Sequence, residues 1–196
     1  MSNFLLTAGA TPIVHIHIPK TGGTSIRGGV GNTNGPREGL FGFKQYEGPV
    51  YGSIPDTWKP YWKFAFVRHP MLRWWSAYRD YTFLRKQGWT PDQFAEETIA
   101  QHNPAQWNSV AHHTQPQTAP EVCLSHADDV FYYGERGEYE EAVATICTRA
   151  GLPEPKKIPR LRETPPAKCT ELSKAWKKKL NEFYARDYEE LGYEPF

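Results

Sequence analysis

The chain has 196 residues, the size of one domain, and a single domain over 1–196 is expected. Hydrophobic residues at 39%, charged residues at 23% and aromatics at 14% form a globular composition that excludes a disordered, collagenous or coiled-coil chain. Lys and Arg number 23 against 22 Asp and Glu, so a net charge of +1 supplies no overall field toward nucleic acid or anionic lipid, and any anion site must be local.

No Lys or Arg precedes Lys20, and Phe4-Leu5-Leu6 is too short a run for a signal-peptide core. Nowhere do about 18 apolar residues follow one another, so a soluble, cytoplasmic protein with no membrane contact is expected. Ile13-Val14-His15-Ile16-His17-Ile18, closed by Pro19, is a β-branched run that reads as a buried strand. Residues 28–53 hold many glycines and turn formers without a clean period, and read as irregular with room for a short helix. Phe64-Ala65-Phe66-Val67 is a second strand. Pro70 stands where the first turn of a helix begins, and a Trp- and Tyr-rich helix runs from there to about Lys86.

Thr90, ahead of Pro91, is the N-cap of a helix opening over 91–97, and 103–120 is a Pro-, Gln- and His-rich loop. Val130-Phe131-Tyr132-Tyr133 is a third strand. Tyr139, Val143, Ile146, Cys147 and Ala150 share a helical face that ends at Gly151. A Pro-rich basic connector covers 156–168, and Leu172, Trp176, Leu180, Phe183, Tyr184 and Leu191 recur at helical spacing in one terminal amphipathic helix. Cys123, Cys147 and Cys169 are an odd count without a C-x-x-C pair, which points to a reducing compartment rather than a disulfide framework or zinc. Strands alternating with helices predict an α/β fold, a parallel sheet with helices on both faces.

Charge is unevenly placed. From Glu96 to Glu141 nine acids face one base, Arg136, and from Lys156 to Lys179 nine bases face two acids. The second stretch is a candidate anion surface, or else a solvated helix face beside a basic loop. Between the first strand and a helix start stands Pro19-Lys20-Thr21-Gly22-Gly23-Thr24-Ser25, where α/β folds take anionic ligands. Gly22 and Gly23 let backbone N–H groups approach an oxyanion, Thr21, Thr24 and Ser25 add hydroxyls, and Lys20 adds a mobile cation. The lysine precedes the glycines, unlike the nucleoside triphosphatase pattern G-x-x-x-x-G-K-[ST].

That loop, with His17-Ile18 before it, resembles the 5'-phosphosulfate loop of the sulfotransferases that use 3'-phosphoadenosine 5'-phosphosulfate (PAPS). Phe66-Val67-Arg68-His69-Pro70-Met71-Leu72-Arg73-Trp74-Trp75-Ser76-Ala77-Tyr78-Arg79 is similar to the family's second motif, an arginine after a strand and a serine eight residues on. The resemblance implies that Arg68 and Ser76 hold the 3'-phosphate. His113-Thr114-Gln115-Pro116 followed by Cys123 is similar to the H-x-x-P segment of the carbohydrate-modifying (Golgi-type, heparan/chondroitin) branch. Phe183-Tyr184-Ala185-Arg186-Asp187-Tyr188-Glu189 with Leu191-Gly192-Tyr193 is similar to that branch's terminal helix. Arg160-Leu161-Arg162-Glu163-Thr164 falls where the family often places a basic loop over the cofactor, which implies Arg162 as a contact.

What the resemblance implies as a whole is a three-layer, P-loop nucleotide-binding-like sulfotransferase fold, PAPS as donor, adenosine 3',5'-bisphosphate as product, and no metal. The sequence departs from the family at three places. Gly28, Gly29 and Gly31 stand where relatives have a sustained helix, and each costs about 1 kcal/mol relative to Ala, so that helix is expected to last a turn or two. No N-terminal anchor like that of the Golgi members is expected. Lys44 to Tyr51, where relatives keep a substrate-side His or Glu, holds Glu47 and no histidine.

Sulfuryl transfer needs an in-line nucleophile, charge stabilisation at the transferring group and support of the leaving oxygen, and Lys20 suits the last two roles. His113, with a pKa naturally near working pH, and Glu47 are the candidate bases, with His112 and His17 behind them. His15 and His17 share a strand face and Cys123-x-x-His126 has a ligand-like gap, but neither has partners to complete a metal site. The acceptor is expected to be an alcohol on a small molecule or glycan. Trp58, Trp62, Trp89 and Trp107 offer flat surfaces for a ring, or else contribute to the core. A nucleotide-dependent, kinase-like phosphotransferase and a non-catalytic nucleotide-binding module stay open as alternatives.

Overall fold

A computed structural model describes residues 2–7, 11–23, 44–50, 53–100, 109–134, 139–153 and 171–195, with the backbone alone for 2–4 and 44–50. Thr24, Ser25, the helix expected after them, Trp107, the 156–168 connector with Arg162, and Cys169 lie outside the described residues.

Five strands form one sheet: β1 (Ser2–Thr7), β2 (Ile13–Ile16), β3 (Lys44–Val50), β4 (Lys63–Val67) and β5 (Asp129–Tyr132), in the order β3-β1-β2-β4-β5. β2, β4 and β5 run parallel, as the alternation of strands and helices predicts. The expectation of a purely parallel sheet needs correction, because β1 is antiparallel to both β2 and β3. The short link from Thr7 to Ile13 explains the first pairing, since a parallel partner needs a crossover of a dozen or more residues. β3 lies within the stretch read as irregular. It carries Gly48 and Pro49, which a sheet tolerates at an edge, and β3 is one of the two edge strands.

The helices are α1 (Pro70–Arg79), which runs on into a π-helical turn over Asp80–Leu84, α2 (Pro91–Ala100), α3 (Val110–Thr114), α4 (Tyr139–Ala150), α5 (Lys174–Phe183) and α6 (Ala185–Leu191). Alternation along β4 divides the core between its two faces. Phe64 and Phe66 pack with Tyr139, Ala142, Val143 and Ile146 of α4. Val67, with Ile18, packs against Met71 and Trp74 of α1, Phe94 of α2, Leu180 of α5 and Tyr188 of α6. Ala65 meets Val14, Ile16 and Trp58. Each large apolar side chain fully buried here, such as Trp74 or Phe94, contributes about 1.5–3 kcal/mol.

Caps set the helix ends. Thr90 Oγ1 accepts from the Gln93 amide at 3.3 Å while Gln93 Oε1 accepts from the Thr90 amide at 2.9 Å, a reciprocal box at the start of α2. Gly151 and Gly192 sit at φ +68° and +67° just beyond α4 and α6, where a left-handed residue closes a helix. Two expectations change. The loop read over 103–120 contains α3, capped by Ser109 Oγ, which accepts from the His112 amide at 3.1 Å. The terminal helix is two helices broken at Tyr184, whose fully buried ring directs its hydroxyl to the Thr114 carbonyl. No helix among the described residues is long and apolar enough to cross a membrane.

Candidate functional site

The three parallel strands all end on the same side of the sheet, and their C-terminal ends are where an α/β fold opens a ligand crevice. After β2 the chain turns sharply. Lys20 and Gly22 both hold left-handed backbone, at φ +70° and +85°. For a non-glycine such as Lys20 that conformation costs about 1–2 kcal/mol. Thr21, fully buried, donates its hydroxyl to the Ile18 carbonyl at 2.7 Å and so holds the turn from within. The glycines are sterically required. A Cβ on Gly22 would stand 2.3 Å from Tyr133 Cε2, and one on Gly23 would stand 2.7 Å from His17 Cδ2.

Tyr133, just beyond β5, therefore lies against the first loop. It also lies under the second motif, because the Arg68 guanidinium sits 5.4 Å from the centre of its ring. The two motifs meet on this tyrosine. Arg68 itself is positioned through its backbone. Gln117 Oε1 accepts from the Arg68 amide at 2.9 Å, and Gln117 Nε2 donates to the Arg68 carbonyl at 2.8 Å. Asp187 of α6, fully buried, fixes Gln117 in turn: Oδ2 accepts from the Gln117 amide at 2.8 Å, and Oδ1 accepts from the Thr118 amide at 2.9 Å and hydroxyl at 2.8 Å. His69 caps α1, its Nδ1 accepting from the Met71 amide at 3.2 Å, which leaves Nε2 to donate to the Glu194 carbonyl at 3.0 Å.

The third part of the site is a charged cluster beneath Lys20. Asp80 opens the π-helical turn and is 4% exposed. Its Oδ1 lies 3.3 Å from Lys20 Nζ and its Oδ2 accepts from Arg85 Nε at 3.1 Å. Burial alone would raise the Asp80 pKa, but Lys20 and Arg85 outweigh it and hold the carboxyl below the usual range. Arg85 also lies 4.3 Å over the Tyr81 ring, and its Nη2 meets His113 Nε2 at 3.1 Å. A guanidinium can only donate, so Nε2 is the acceptor. The ring proton is then on Nδ1, 3.2 Å from the Ser109 carbonyl and 3.3 Å from the Tyr81 hydroxyl. Burial first, and then the neighbouring Arg85, push the His113 pKa down to about 3, so the ring is neutral at pH 7.

The helix of the second motif also holds His113 in place. Arg73 of α1, fully buried, donates Nη1 to the His113 carbonyl at 3.0 Å and Nη2 to the carbonyls of Thr114, at 3.2 Å, and Gln115. These are the last two carbonyls of α3 and that of its C-cap, and a cation there meets the negative end of the helix.

Of the residues expected from sequence, Lys20, Thr21, Gly22, Gly23, Arg68 and His113 all belong to this connected region. Ser76 is the seventh residue of α1, in its second turn, and half-buried. Glu47 sits on β3 opposite Phe4, which in turn pairs with His15, so its backbone is two strand spacings, about 10 Å, from β2. Trp58 is core and Trp62 donates to Asp129 at 2.8 Å, whereas Trp89 stacks on Tyr81 at 5.9 Å, next to His113. Cys123 is buried while His126 is exposed. Among the described residues no three His, Cys, Asp or Glu side chains gather as metal ligands.

Sequence reading missed Asp80, Arg85, Tyr133, Gln117 and Asp187. Two had a local signal: Asp80 stands four residues after Ser76 and so on the same helical face, and Asp187 lies within the terminal segment that resembles the family's.

The profile of the sulfotransferase family matches residues 43–194, and the chain belongs to that family. The match takes in Arg68, Ser76, His113 and the terminal helices and begins after the Lys20 loop. No curated protein and no solved structure matches the chain.

Proposed function

We propose that the protein is a PAPS-dependent sulfotransferase acting on an acceptor hydroxyl, on a carbohydrate or other small alcohol, within a three-layer, P-loop-like fold. The observation that carries this reading is the junction of the two loops: Gly22 lies against Tyr133, and Arg68 lies over the same ring. Charge supports it. Lys20 and Arg85 both converge on Asp80, which gathers two cations at the first loop where an anion is proposed to bind.

In this reading the backbone of the loop over Thr21, Gly22, Gly23, Thr24 and Ser25 cradles the 5'-phosphosulfate, while Arg68 and Ser76 take the 3'-phosphate and Arg162 closes over the nucleotide. PAPS supplies a sulfuryl group already bonded to a good leaving oxygen. Lys20 donates to that bridging oxygen as the bond to sulfur breaks, and a donor in place before the reaction stabilises the developing charge without reorganising. The acceptor oxygen bonds to sulfur and gives its proton to a base.

His113 and Glu47 are the two bases proposed. His113 is tied into the Lys20 cluster, but its Nε2 lone pair accepts from Arg85, so it takes a proton only when Arg85 turns to an anion. As a base it would titrate near 3, well below the ordinary value of 6.5. A transfer assay with PAPS and a panel of sugar and phenol acceptors tests the activity. Sulfated product, with the bisphosphate released one for one, is expected. Bisphosphate binding without transfer to any acceptor favours a non-catalytic module. A cytoplasmic location and a single domain over 1–196 complete the proposal.

A further inference from the structure

We propose that Asp80 is a positioning residue of the transfer site, the shared counter-ion that aims the Lys20 ammonium and the Arg85 guanidinium at the place where an anion arrives. The inference rests on the sulfuryl-transfer reading. Asp80 belongs to neither sequence motif, yet it joins them: it follows Ser76 by four residues on the second unit and bonds Lys20 of the first. Its two oxygens are divided between the cations, Oδ1 to Lys20 at 3.3 Å and Oδ2 to Arg85 at 3.1 Å.

Exposure gives the arrangement a direction. The Asp80 side chain is 5% exposed, against 16% for Lys20 and 28% for Arg85, so an incoming anion meets the cations with the carboxylate sealed behind them. The π-helical turn fixes this order, because the Arg85 amide bonds the Asp80 carbonyl at 3.0 Å and brings both side chains to one side. Single π turns in helices are frequent at functional sites. Lys20 is a long side chain on a left-handed backbone, and its ion pair with Asp80 narrows the positions that its ammonium samples. A donor that acts on a leaving oxygen has to be held within a fraction of an ångström.

The two functions of the site then respond in opposite directions. Removing the negative charge leaves two cations facing the nucleotide, which strengthens ground-state binding. Removing the anchor misaligns Lys20, which lowers turnover. For Asp80→Asn, the affinity for adenosine 3',5'-bisphosphate is expected to rise about threefold to tenfold while turnover falls about tenfold or more. Asp80→Glu keeps the charge and moves it by one methylene. Its affinity should stay within about twofold of wild type, with turnover between the other two.

The test is a calorimetric titration of the bisphosphate and a turnover measurement with PAPS on wild type and both variants. Opposite movement in Asp80→Asn with partial rescue by Glu is the expected result. If the Asn variant does not fold, the Glu variant decides: reduced turnover at near-wild-type affinity supports the role. Equal loss of affinity and turnover in the folded variants, or wild-type values for both, overturns it. A wild-type chain that fails to bind the bisphosphate overturns the underlying reading, whereas a wild type that binds and transfers beside an unchanged Asp80→Asn variant overturns the Asp80 role alone.

Discussion

Gln117 and Arg68, 49 residues apart in the chain, exchange two hydrogen bonds between one side-chain amide and the backbone N–H and C=O of a single residue, at 2.9 and 2.8 Å. The amide thus works as an extra sheet partner at the end of β4, and it sets the direction in which the Arg68 side chain leaves the sheet. Gln117→Ala is expected to cost about 1 kcal/mol or more, because it removes the side-chain partner of two half-buried backbone groups. It should also lower the preference for adenosine 3',5'-bisphosphate over 5'-AMP. Denaturant unfolding and paired titrations check both, and lost stability with an unchanged preference would separate Gln117 from the site.

Gly22 has both a positive φ and a neighbour that leaves no room for a side chain. Gly22→Ala is expected to displace the Tyr133 ring, lower stability by about 1–3 kcal/mol and weaken nucleotide binding by at least tenfold. Gly134, also at positive φ, has open space around it, so Gly134→Ala should affect stability and leave binding intact. Thermal unfolding and titration of both variants make the comparison, and equal effects on binding would argue against the Gly22–Tyr133 contact as part of the site.

Arg68→Ala and Ser76→Ala should each reduce discrimination between nucleotides with and without a 3'-phosphate, Arg68 by more because its bond is charge-assisted. The measurement is the affinity ratio of adenosine 3',5'-bisphosphate to 5'-AMP. An unchanged ratio in both would place the 3'-phosphate elsewhere.

The two loops were legible because each motif is local: a strand end, a turn and a few side chains within about ten residues. What joins them was not. Gln117 was one polar residue in a loop rich in them, and Asp187 one acid on the terminal helix, until the fold set Gln117 against the Arg68 backbone and buried Asp187 against Gln117. Lys20 and Asp80 are likewise brought together only by the packing of β2 beside β4. Among the strands, β2, β4 and β5 announced themselves as apolar runs. β3, an edge strand with Lys44, Gly48 and Pro49, has the composition of a loop, and β1 offers only the apolar triplet Phe4-Leu5-Leu6 between Ser2-Asn3 and Thr7.

Burial, Arg85 and His112 hold the His113 pKa down to about 3, with Lys20 adding to them and the Ser109 carbonyl opposing. An unfolded chain protonates this histidine near 6.5. Between pH 6.5 and 3 the unfolded state therefore binds a proton that the folded state refuses, and stability falls as the pH drops through that window. The limiting slope is about 1.4 kcal/mol per pH unit. Asp80, held below its ordinary value, keeps its ion pairs over most of this range. His113→Gln is expected to remove the His113 part of the slope. Denaturant midpoints from pH 4.5 to 8 measure it, and an identical slope in the variant would contradict the assignment.

Lys20→Ala separates transition-state stabilisation from binding. Loss of one well-placed donor to a leaving oxygen is worth about 3–4 kcal/mol, so turnover should fall by about two to three orders of magnitude, with a much smaller change in nucleotide affinity. Steady-state kinetics beside a direct binding titration check this, and a variant that loses affinity alone would assign Lys20 to ground-state binding.

The central claim is that the two loops meeting on Tyr133 form a site for a nucleotide phosphorylated at both the 3' and the 5' positions. An equilibrium titration of the wild-type chain with adenosine 3',5'-bisphosphate and with ADP, in the presence of a metal chelator, addresses it directly. Binding of the bisphosphate at least tenfold tighter than ADP, unaltered when magnesium is restored, is the predicted result. Tighter binding of ADP, or binding that appears only with magnesium, would contradict it and point to phosphoryl chemistry instead.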